Sequence, residues 1–253
     1  MKTSSRPLTV VGHLEELRNR IIFTLVLFLA VFFSLVALPS FSNSFGAGLM
    51  NLISDFLLGS LLKEQRMLLI FLDPLEPVFT VLKLSFIVSL LIVSPVLFYQ
   101  VYAYIKPAFK KQTRKYLVWL FIGAALFLIL GVVFSFYMLV PVSFKILIRY
   151  GLSTGAQPFL SMGKFFDMFI WMLLLFSLPF ELPMAIGVLS RAGIVSAKML
   201  AKTRKLVYLS MAVFAAVITP DPTPVSMLIL WAIMLVLFEF GVLLARMFER
   251  GKK

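Results

Sequence analysis

The sequence has no cysteine and only one histidine, His13, among its 253 residues. The lack of cysteine excludes disulfide bonds, thiolate metal sites and cysteine nucleophiles. The single histidine excludes a histidine-rich metal site, and its position before the first apolar run argues against a Ser/His/Asp triad. Walker, GxGxxG and HExxH motifs are also missing. The sequence therefore predicts a protein that is not an enzyme and that has no metal and no cofactor.

Acidic residues are scarce, with 11 Asp and Glu against 24 Lys and Arg. Charged residues make up only 14% of the chain and hydrophobic residues 61%, and the mean hydropathy is +1.03. Soluble domains have about half apolar and about a quarter charged residues. Several apolar runs reach the length that crosses a bilayer. These features predict an all-α protein with several transmembrane helices.

The apolar runs predict a bundle of six transmembrane helices in one integral membrane domain, residues 1–253. The predicted spans are about 21–38, 78–104, 116–140, 165–189, 206–218 and 225–244. The last two are expected to be short. In the first outer loop, apolar residues recur every three or four positions from Leu49 to Leu57, which predicts an amphipathic helix on the membrane surface.

The basic residues predict the orientation. The N-terminal segment, the loops after the second and fourth spans, and the C-terminal tail hold 18 Lys and Arg, against 5 in the alternate loops. By the positive-inside rule both termini lie in the cytoplasm. We find no internal repeat, which argues against an inverted-repeat transporter.

Several single residues carry local predictions. Pro95 should kink the second span and free a carbonyl. Lys83 is expected to snorkel to the interface rather than enter a buried ion pair. Pro141 is predicted to begin an outer loop, and Glu239 is expected to reach Arg246 or the interface.

Glu181 lies deep in the fourth span, between Pro179 and Pro183. An ionised and unpaired carboxylate there costs several kcal/mol. One interpretation is structural: a hydrogen bond to a carbonyl freed by a proline, or a partner elsewhere in the bundle. The other is a docking point for a polar group on another helix, which we favour because intramembrane ionisable groups are usually functional.

The stretch His13–Arg20 sets four charges against the start of the first span. Glu16 and Arg20 are i,i+4 neighbours in the favourable order, and Glu15 lies three residues before Arg18. Two interpretations follow. The stretch is a polar cap that anchors the span at the interface, or it is a recognition surface for a cationic group.

Several motifs in order resemble the TatC family of the twin-arginine protein translocase. They extend from His13 to about Arg246 and are His13-Leu14-x-Glu16-Leu17-Arg18, Pro77-x-Phe79 with Leu82-Lys83-Leu84, Ser94-Pro95 to Tyr99-Gln100-Val101 with Pro107, Phe180-Glu181-Leu182-Pro183, and Thr219-Pro220. The predicted architecture is similar to that family as well.

The resemblance implies a receptor, in the bacterial inner membrane, for twin-arginine signal peptides on folded cargo, with transport driven by the proton-motive force. It implies that Glu16 contacts a signal-peptide arginine, that Arg18 orients Glu16, and that Glu15 can substitute for it. It implies that Glu181 docks TatA/TatB-type single-span partner helices within a larger complex containing further copies of this chain. No nucleic-acid partner is implied.

Two positions depart from the family pattern. Thr113 stands where the family has a second recognition glutamate, and the last outer turn reads Pro220-Asp221-Pro222 rather than Pro-Pro-Asp. The first departure puts twin-arginine affinity in question and fits a diverged member. Two alternatives stay open at this point: a proton-coupled small-solute transporter that uses Glu181, and a scaffold for partner helices that reads no signal.

Overall fold

The computed structural model describes residues 10–37, 53, 55–56, 69–108, 111–155, 159–220 and 224–250. Besides the helical residues 53, 55 and 56, the chain forms within these ranges eight α-helices, two short 3₁₀ turns, one π turn and two two-residue strands. The helices are α1 Val10–Ala37, α2 Glu76–Ile105, α3 Lys111–Phe134, α4 Val140–Ser153, α5 Met162–Ser177, α6 Leu182–Ala192, α7 Ala197–Ile218 and α8 Pro224–Arg250. The short elements are the 3₁₀ turns Lys106–Ala108 and Leu178–Glu181, the π turn Ser135–Leu139, and the strands β1 Leu69–Ile70 and β2 Leu160–Ser161.

Five segments of the described chain are long and apolar enough to cross a membrane. They are Gly12–Val36, Glu76–Ile105, Tyr116–Ser153, Met162–Ala192 and Pro224–Glu249. The prediction of an all-helical membrane protein is therefore confirmed at this level. Helix α7 is not among these five segments, because its first half contains several basic residues and only 206–218 is apolar. A sixth span stays a prediction.

Helices α7 and α8 are 22 and 27 residues long. They are longer than the two short spans that the sequence predicts, because their polar ends continue the helix. Ser196 caps α7 and accepts a hydrogen bond from the backbone N–H of Met199 at 3.1 Å. Much of the basic segment after the fourth span is therefore helical rather than loop.

The prediction that Pro141 begins a loop is wrong, because the third span continues through it to Ser153. The π turn ends where the N–H of Val140 donates to the carbonyl of Ser135, five residues back. Pro141 then occupies the first turn of α4, where a missing N–H costs little. Phe144, one turn further on, is buried against Phe165 with ring centroids 4.9 Å apart. This packing holds the continued helix on the bundle.

Pro95 lies inside α2, as the sequence predicts. Proline has no N–H, so the carbonyl of Leu91 loses its helical partner. The hydroxyl of Ser94 donates to that carbonyl at 2.8 Å. The freed carbonyl is thus satisfied within the helix.

Helix α5 lies at the centre of the bundle and packs against α2, α3, α4 and α7. Its phenylalanines are almost fully buried: Phe165, Phe166, Phe169 and Phe176. At one end of the bundle β1 pairs in parallel with β2, with Leu69 opposite Leu160. Beside this pair the carboxylate of Glu76 accepts hydrogen bonds from Ser161 Oγ at 3.0 Å and from the N–H of Gly163 at 3.3 Å. These bonds join the segments that precede α2 and α5.

Only three residues of the predicted surface helix, Ile53, Asp55 and Phe56, lie among the described residues, and all three are helical. Ile53 is 4% exposed and belongs to the core. The ring of Phe56 stacks on Phe136 with centroids 4.8 Å apart. These two apolar side chains therefore contact the bundle. The rest of the predicted helix lies outside the described residues.

Lys83 of α2 pairs with Asp167 of α5, with Nζ 2.5 Å from Oδ1. Both side chains are about half exposed. The pair is therefore not buried, which agrees with the expectation that Lys83 avoids a buried ion pair, while snorkelling to the interface stays a prediction. The pair links two spans that are 84 residues apart in sequence.

We expect Asp167→Asn to lower the free energy of unfolding by about 1 kcal/mol, since it leaves Lys83 without its partner. The charge-swapped double variant Lys83→Asp/Asp167→Lys should recover most of this loss. The measurement is thermal unfolding of the purified protein in detergent. Equal unfolding temperatures for the wild type and Asp167→Asn would show that the pair contributes nothing.

Candidate functional site

The charged stretch His13–Arg20 forms the first turns of α1, in one helix with the apolar span. Glu16 Oε1 accepts two hydrogen bonds from Arg20, from Nη2 at 2.6 Å and from Nε at 3.0 Å. Arg20 Nη1 donates to Gln100 Oε1 of α2 at 2.7 Å. The i,i+4 pairing expected from the sequence is confirmed, and it extends across to a second helix.

His13 and Tyr104 complete this cluster. Their rings stack with centroids 4.4 Å apart and planes 11° apart, which joins α1 to α2 a second time. His13 Nδ1 lies 3.8 Å from Glu16 Oε2. The two oxygens of Glu16 therefore have different surroundings, since Oε1 is held by Arg20 and Oε2 faces the histidine.

Gln100 and Tyr104 are the members of the cluster that the sequence did not assign to the site. Both belong to the end of α2, and their i,i+4 spacing puts them on one face of that helix. Gln100 is 80 residues from Arg20, so no local pattern could pair them. The only indication in the sequence was that these two residues share one face of α2 at the end of a span.

The other predicted recognition residues lie differently. Glu15 and Arg18 are exposed on α1. Arg18 Nε and Nη2 lie 3.4 and 3.5 Å from Asn19 Oδ1, so the basic residue that contacts Glu16 is Arg20 and not Arg18. Thr113 falls in the first turn of α3, and its side chain lies outside the described part of the chain.

An apolar groove of about 410 Å³ runs between α1 and α2 from this cluster along the apolar part of both helices. Arg20, Gln100 and Tyr104 line its polar end. Its walls are apolar side chains, including Leu17, Ile21, Leu25, Phe28, Leu90 and Leu97. Glu16 is not among the lining residues, but Arg20 connects its carboxylate to the polar end of the groove. A carboxylate next to an apolar groove suits a ligand with a cationic group beside an apolar segment.

Glu181 ends the 3₁₀ turn between α5 and α6. Its Oε1 atom is buried and has no hydrogen-bond partner among the described residues. The carbonyl of Pro179, which Pro183 cannot bond, instead accepts from the N–H of Leu182. The structural interpretation, in which a freed carbonyl or another side chain satisfies this oxygen, gains no support within the described chain.

Glu239 of α8 has partners that the sequence did not indicate. Its Oε2 accepts from Arg204 Nη2 of α7 at 2.6 Å, and its Oε1 accepts from the hydroxyl of Tyr208. Of the two expected alternatives, the contact with Arg246 is replaced by one with Arg204, because α7 packs beside α8, and contact with the interface stays a prediction. Among the described residues, no three His, Asp or Glu side chains gather as possible metal ligands.

The chain is similar to known proteins over almost its full length. The family model of the Sec-independent protein translocase protein (TatC) matches residues 12–233. The Sec-independent protein translocase protein TatC of Aquifex aeolicus (strain VF5) is 31% identical over 255 residues, which cover 98% of each chain. The corresponding Escherichia coli (strain K12) protein is 31% identical over 239 residues, 94% of this chain and 88% of that one.

A solved structure has the same fold. The crystal structure of the twin-arginine translocase receptor TatC matches with a TM-score of 0.74 at 28% identity, over 94% of this chain and 99% of that one. The family match, the relatives and the structure agree with the motifs that run from His13 to Thr219-Pro220. The chain belongs to the TatC family, the membrane subunit of the Sec-independent twin-arginine protein translocase, a family of transport proteins rather than enzymes.

Proposed function

We propose that this chain is the signal-peptide receptor and core subunit of a translocase that moves folded proteins across the bacterial cytoplasmic membrane. Its cargo carries twin-arginine signal peptides, and the proton-motive force drives the transport. Membership of the TatC family and the similarity to a structure described as a translocase receptor support this function. The observation that carries it is the carboxylate of Glu16, which is bonded to Arg20 at the polar end of the apolar groove.

The proposed arrangement in the membrane is a single domain, 1–253, with six spans and both termini in the cytoplasm. The excess of Lys and Arg in alternate loops supports the orientation. The fifth span is the apolar stretch 206–218 of α7. Its contact with α8 and the short connection between Thr219 and Pro224 fit a hairpin in the membrane. The His13–Arg20 end then faces the cytoplasm, where signal peptides arrive.

The recognition site is built on Glu16, with Glu15 and Arg18 exposed beside it. A carboxylate accepts a guanidinium in a bidentate geometry that lysine cannot reproduce, and the low dielectric near the membrane strengthens that contact. The groove between α1 and α2 accepts the apolar part of the peptide. Thr113, at the place of the family's second glutamate, leaves this site with one fewer carboxylate.

Glu181 is the proposed docking point for TatA/TatB-type single-span partner helices, in a complex that contains further copies of this chain. Its Oε1, which has no partner among the residues that the structure describes, supports this role, because a polar group on an incoming helix would supply a hydrogen bond. A scaffold that binds partner helices without reading signals is the second candidate. The basic residues around Thr113 are the observation that favours it.

A peptide-binding experiment tests the receptor and separates it from the scaffold. The purified chain in lipid nanodiscs is titrated with a labelled peptide that carries an arginine pair before an apolar stretch, and with its Lys-Lys counterpart. We expect the arginine peptide to bind more tightly, Glu16→Gln to weaken it about tenfold, and Thr113→Glu to strengthen it. Equal binding of the two peptides by both the wild type and Thr113→Glu would leave only the scaffold.

A further inference from the structure

The carboxylate proposed to receive the signal arginine is already occupied by an arginine of the same chain. We propose that Arg20 is a specificity-determining residue of the recognition site, which holds Glu16 in cis so that a signal peptide binds only by displacing it. This inference rests on the proposed receptor function and adds a competitor to it.

Arg20 contacts Glu16 as the arginine of a bound signal peptide would. Arg20 presents the chemical group that the receptor must recognise, and it directs Nε and Nη2 to a single oxygen, Glu16 Oε1, at 3.0 and 2.6 Å. Its third contact, Nη1 to Gln100 Oε1 at 2.7 Å, fixes the guanidinium from the neighbouring helix. Arg20 and Glu16 are 26% and 27% exposed, so water screens the pair only in part.

Displacement leaves both arginines with acceptors. When an incoming guanidinium takes Glu16 Oε1, Arg20 keeps Gln100 as its acceptor on α2. The remaining oxygen, Glu16 Oε2, has His13 Nδ1 at 3.8 Å and can complete a bidentate contact with the newcomer. A lysine ammonium lacks the paired N–H groups that such an exchange needs, so it competes poorly.

The charges around the site make binding depend on the competition between Arg20 and the peptide arginine for Glu16. Arg20 forms an ion pair with Glu16 and so neutralises its charge. Thr113 contributes no charge at the position of the family's second glutamate. With Arg20 in place, the site therefore offers a cationic peptide little net attraction. Arg20 sets a threshold that favours a paired guanidinium over a single or weaker cation.

The test is the nanodisc titration repeated with Arg20→Gln, Arg20→Lys and Lys202→Gln. Lys202 is exposed on α7, so its variant removes the same charge elsewhere on the proposed cytoplasmic side. We expect Arg20→Gln to bind the arginine peptide about five- to tenfold more tightly and to discriminate less well against the Lys-Lys peptide. Arg20→Lys should lie between the wild type and Arg20→Gln, and Lys202→Gln should match the wild type.

The outcomes separate this proposal from the receptor function. If the wild type prefers the arginine peptide and Glu16→Gln removes that preference, the receptor function stands. Unchanged or weaker binding by Arg20→Gln and Arg20→Lys would then overturn the role of Arg20 alone. A gain in Lys202→Gln equal to that in Arg20→Gln would also overturn it, because the effect would be one of net charge. If neither the wild type nor Thr113→Glu prefers the arginine peptide, both proposals fall.

Should Arg20→Gln lower the unfolding temperature through the lost contact with Gln100, Arg20→Lys decides the question, because it keeps the charge and a donor for that amide. A loss of stability together with tighter peptide binding still supports displacement. A loss of stability with weaker binding in both variants assigns Arg20 to the support of the site and overturns the proposal.

Discussion

Gly131→Ala is expected to lower the free energy of unfolding by about 2 kcal/mol, which is several degrees in the unfolding temperature. Gly131 lies where α3 crosses the 3₁₀ turn before α6. A Cβ atom there would lie 2.9 Å from Cβ and Cγ of Phe180 and 2.9 Å from the backbone oxygen of Ser177. Neither neighbour is the free end of a flexible side chain, so the helix itself must move.

Two other glycines provide matched controls. A Cβ at Gly123, on the same helix, would lie 2.9 Å from Met184 Sδ, near the flexible end of a methionine that can shift at small cost. Gly151, near the end of α4, has no atom within 4 Å of an added Cβ. Gly151→Ala should therefore leave stability unchanged or raise it by up to about 1 kcal/mol, since alanine loses less backbone entropy in a helix.

The measurement is thermal unfolding of the three alanine variants in the same detergent. We expect Gly151→Ala to have the highest unfolding temperature, Gly123→Ala a lower one and Gly131→Ala the lowest. A Gly131→Ala variant as stable as Gly123→Ala would show that α3 and the turn can separate without loss.

The features that the sequence predicted correctly are those set by local spacing or by composition. The Glu16–Arg20 pair follows from helical periodicity, and the carbonyl freed by Pro95 follows from the missing N–H of proline. The apolar runs alone indicated a helical membrane protein. Each of these arguments needs only residues within one or two helical turns, or the average over a span.

Long-range contacts could not be predicted in this way. Lys83 was expected to reach the interface, yet its pairing with Asp167 depends on how α2 lies against α5. Gln100 joins Arg20 for the same reason, across 80 residues. A single sequence shows which residues share one face of a helix, but it does not show which face of which other helix packs against them.

The error at Pro141 has a different cause. A proline followed by Lys145 and Arg149 is typical of a loop, and local propensity favoured that assignment. The π turn removes the usual cost of the proline, and the burial of Phe144 against α5 holds the helix in place. Tertiary packing thus overrides the local signal at this position.

Glu181→Ala is expected to leave the chain folded, with an unfolding temperature equal to or above that of the wild type, while recovery of single-span partners falls about tenfold. The buried Oε1 has no partner among the described residues, so its removal breaks no hydrogen bond within them and ends the cost of burying a polar atom. Binding falls because the incoming helix loses the group that it would contact.

Glu239→Ala is the matched control, since Glu239 is also a glutamate within a predicted span. Its two oxygens are held by Arg204 and Tyr208, so removing them leaves a guanidinium and a hydroxyl without their acceptor. We expect this variant to lose about 1–3 kcal/mol of stability. Co-purification of tagged partners and thermal unfolding are measured on the same preparations.

The two alanine variants are therefore expected to behave in opposite ways for one reason. The cost of removing a polar side chain depends on the hydrogen bonds that it makes. If Glu181→Ala loses stability as Glu239→Ala does and keeps its partners, Glu181 is a structural residue and its role in docking is wrong. If Glu181→Ala keeps its stability and loses its partners, the unpaired oxygen of Glu181 accepts its hydrogen bond from a partner helix. A glutamate whose buried oxygen has no partner among the described residues would then serve the assembled translocase rather than the fold.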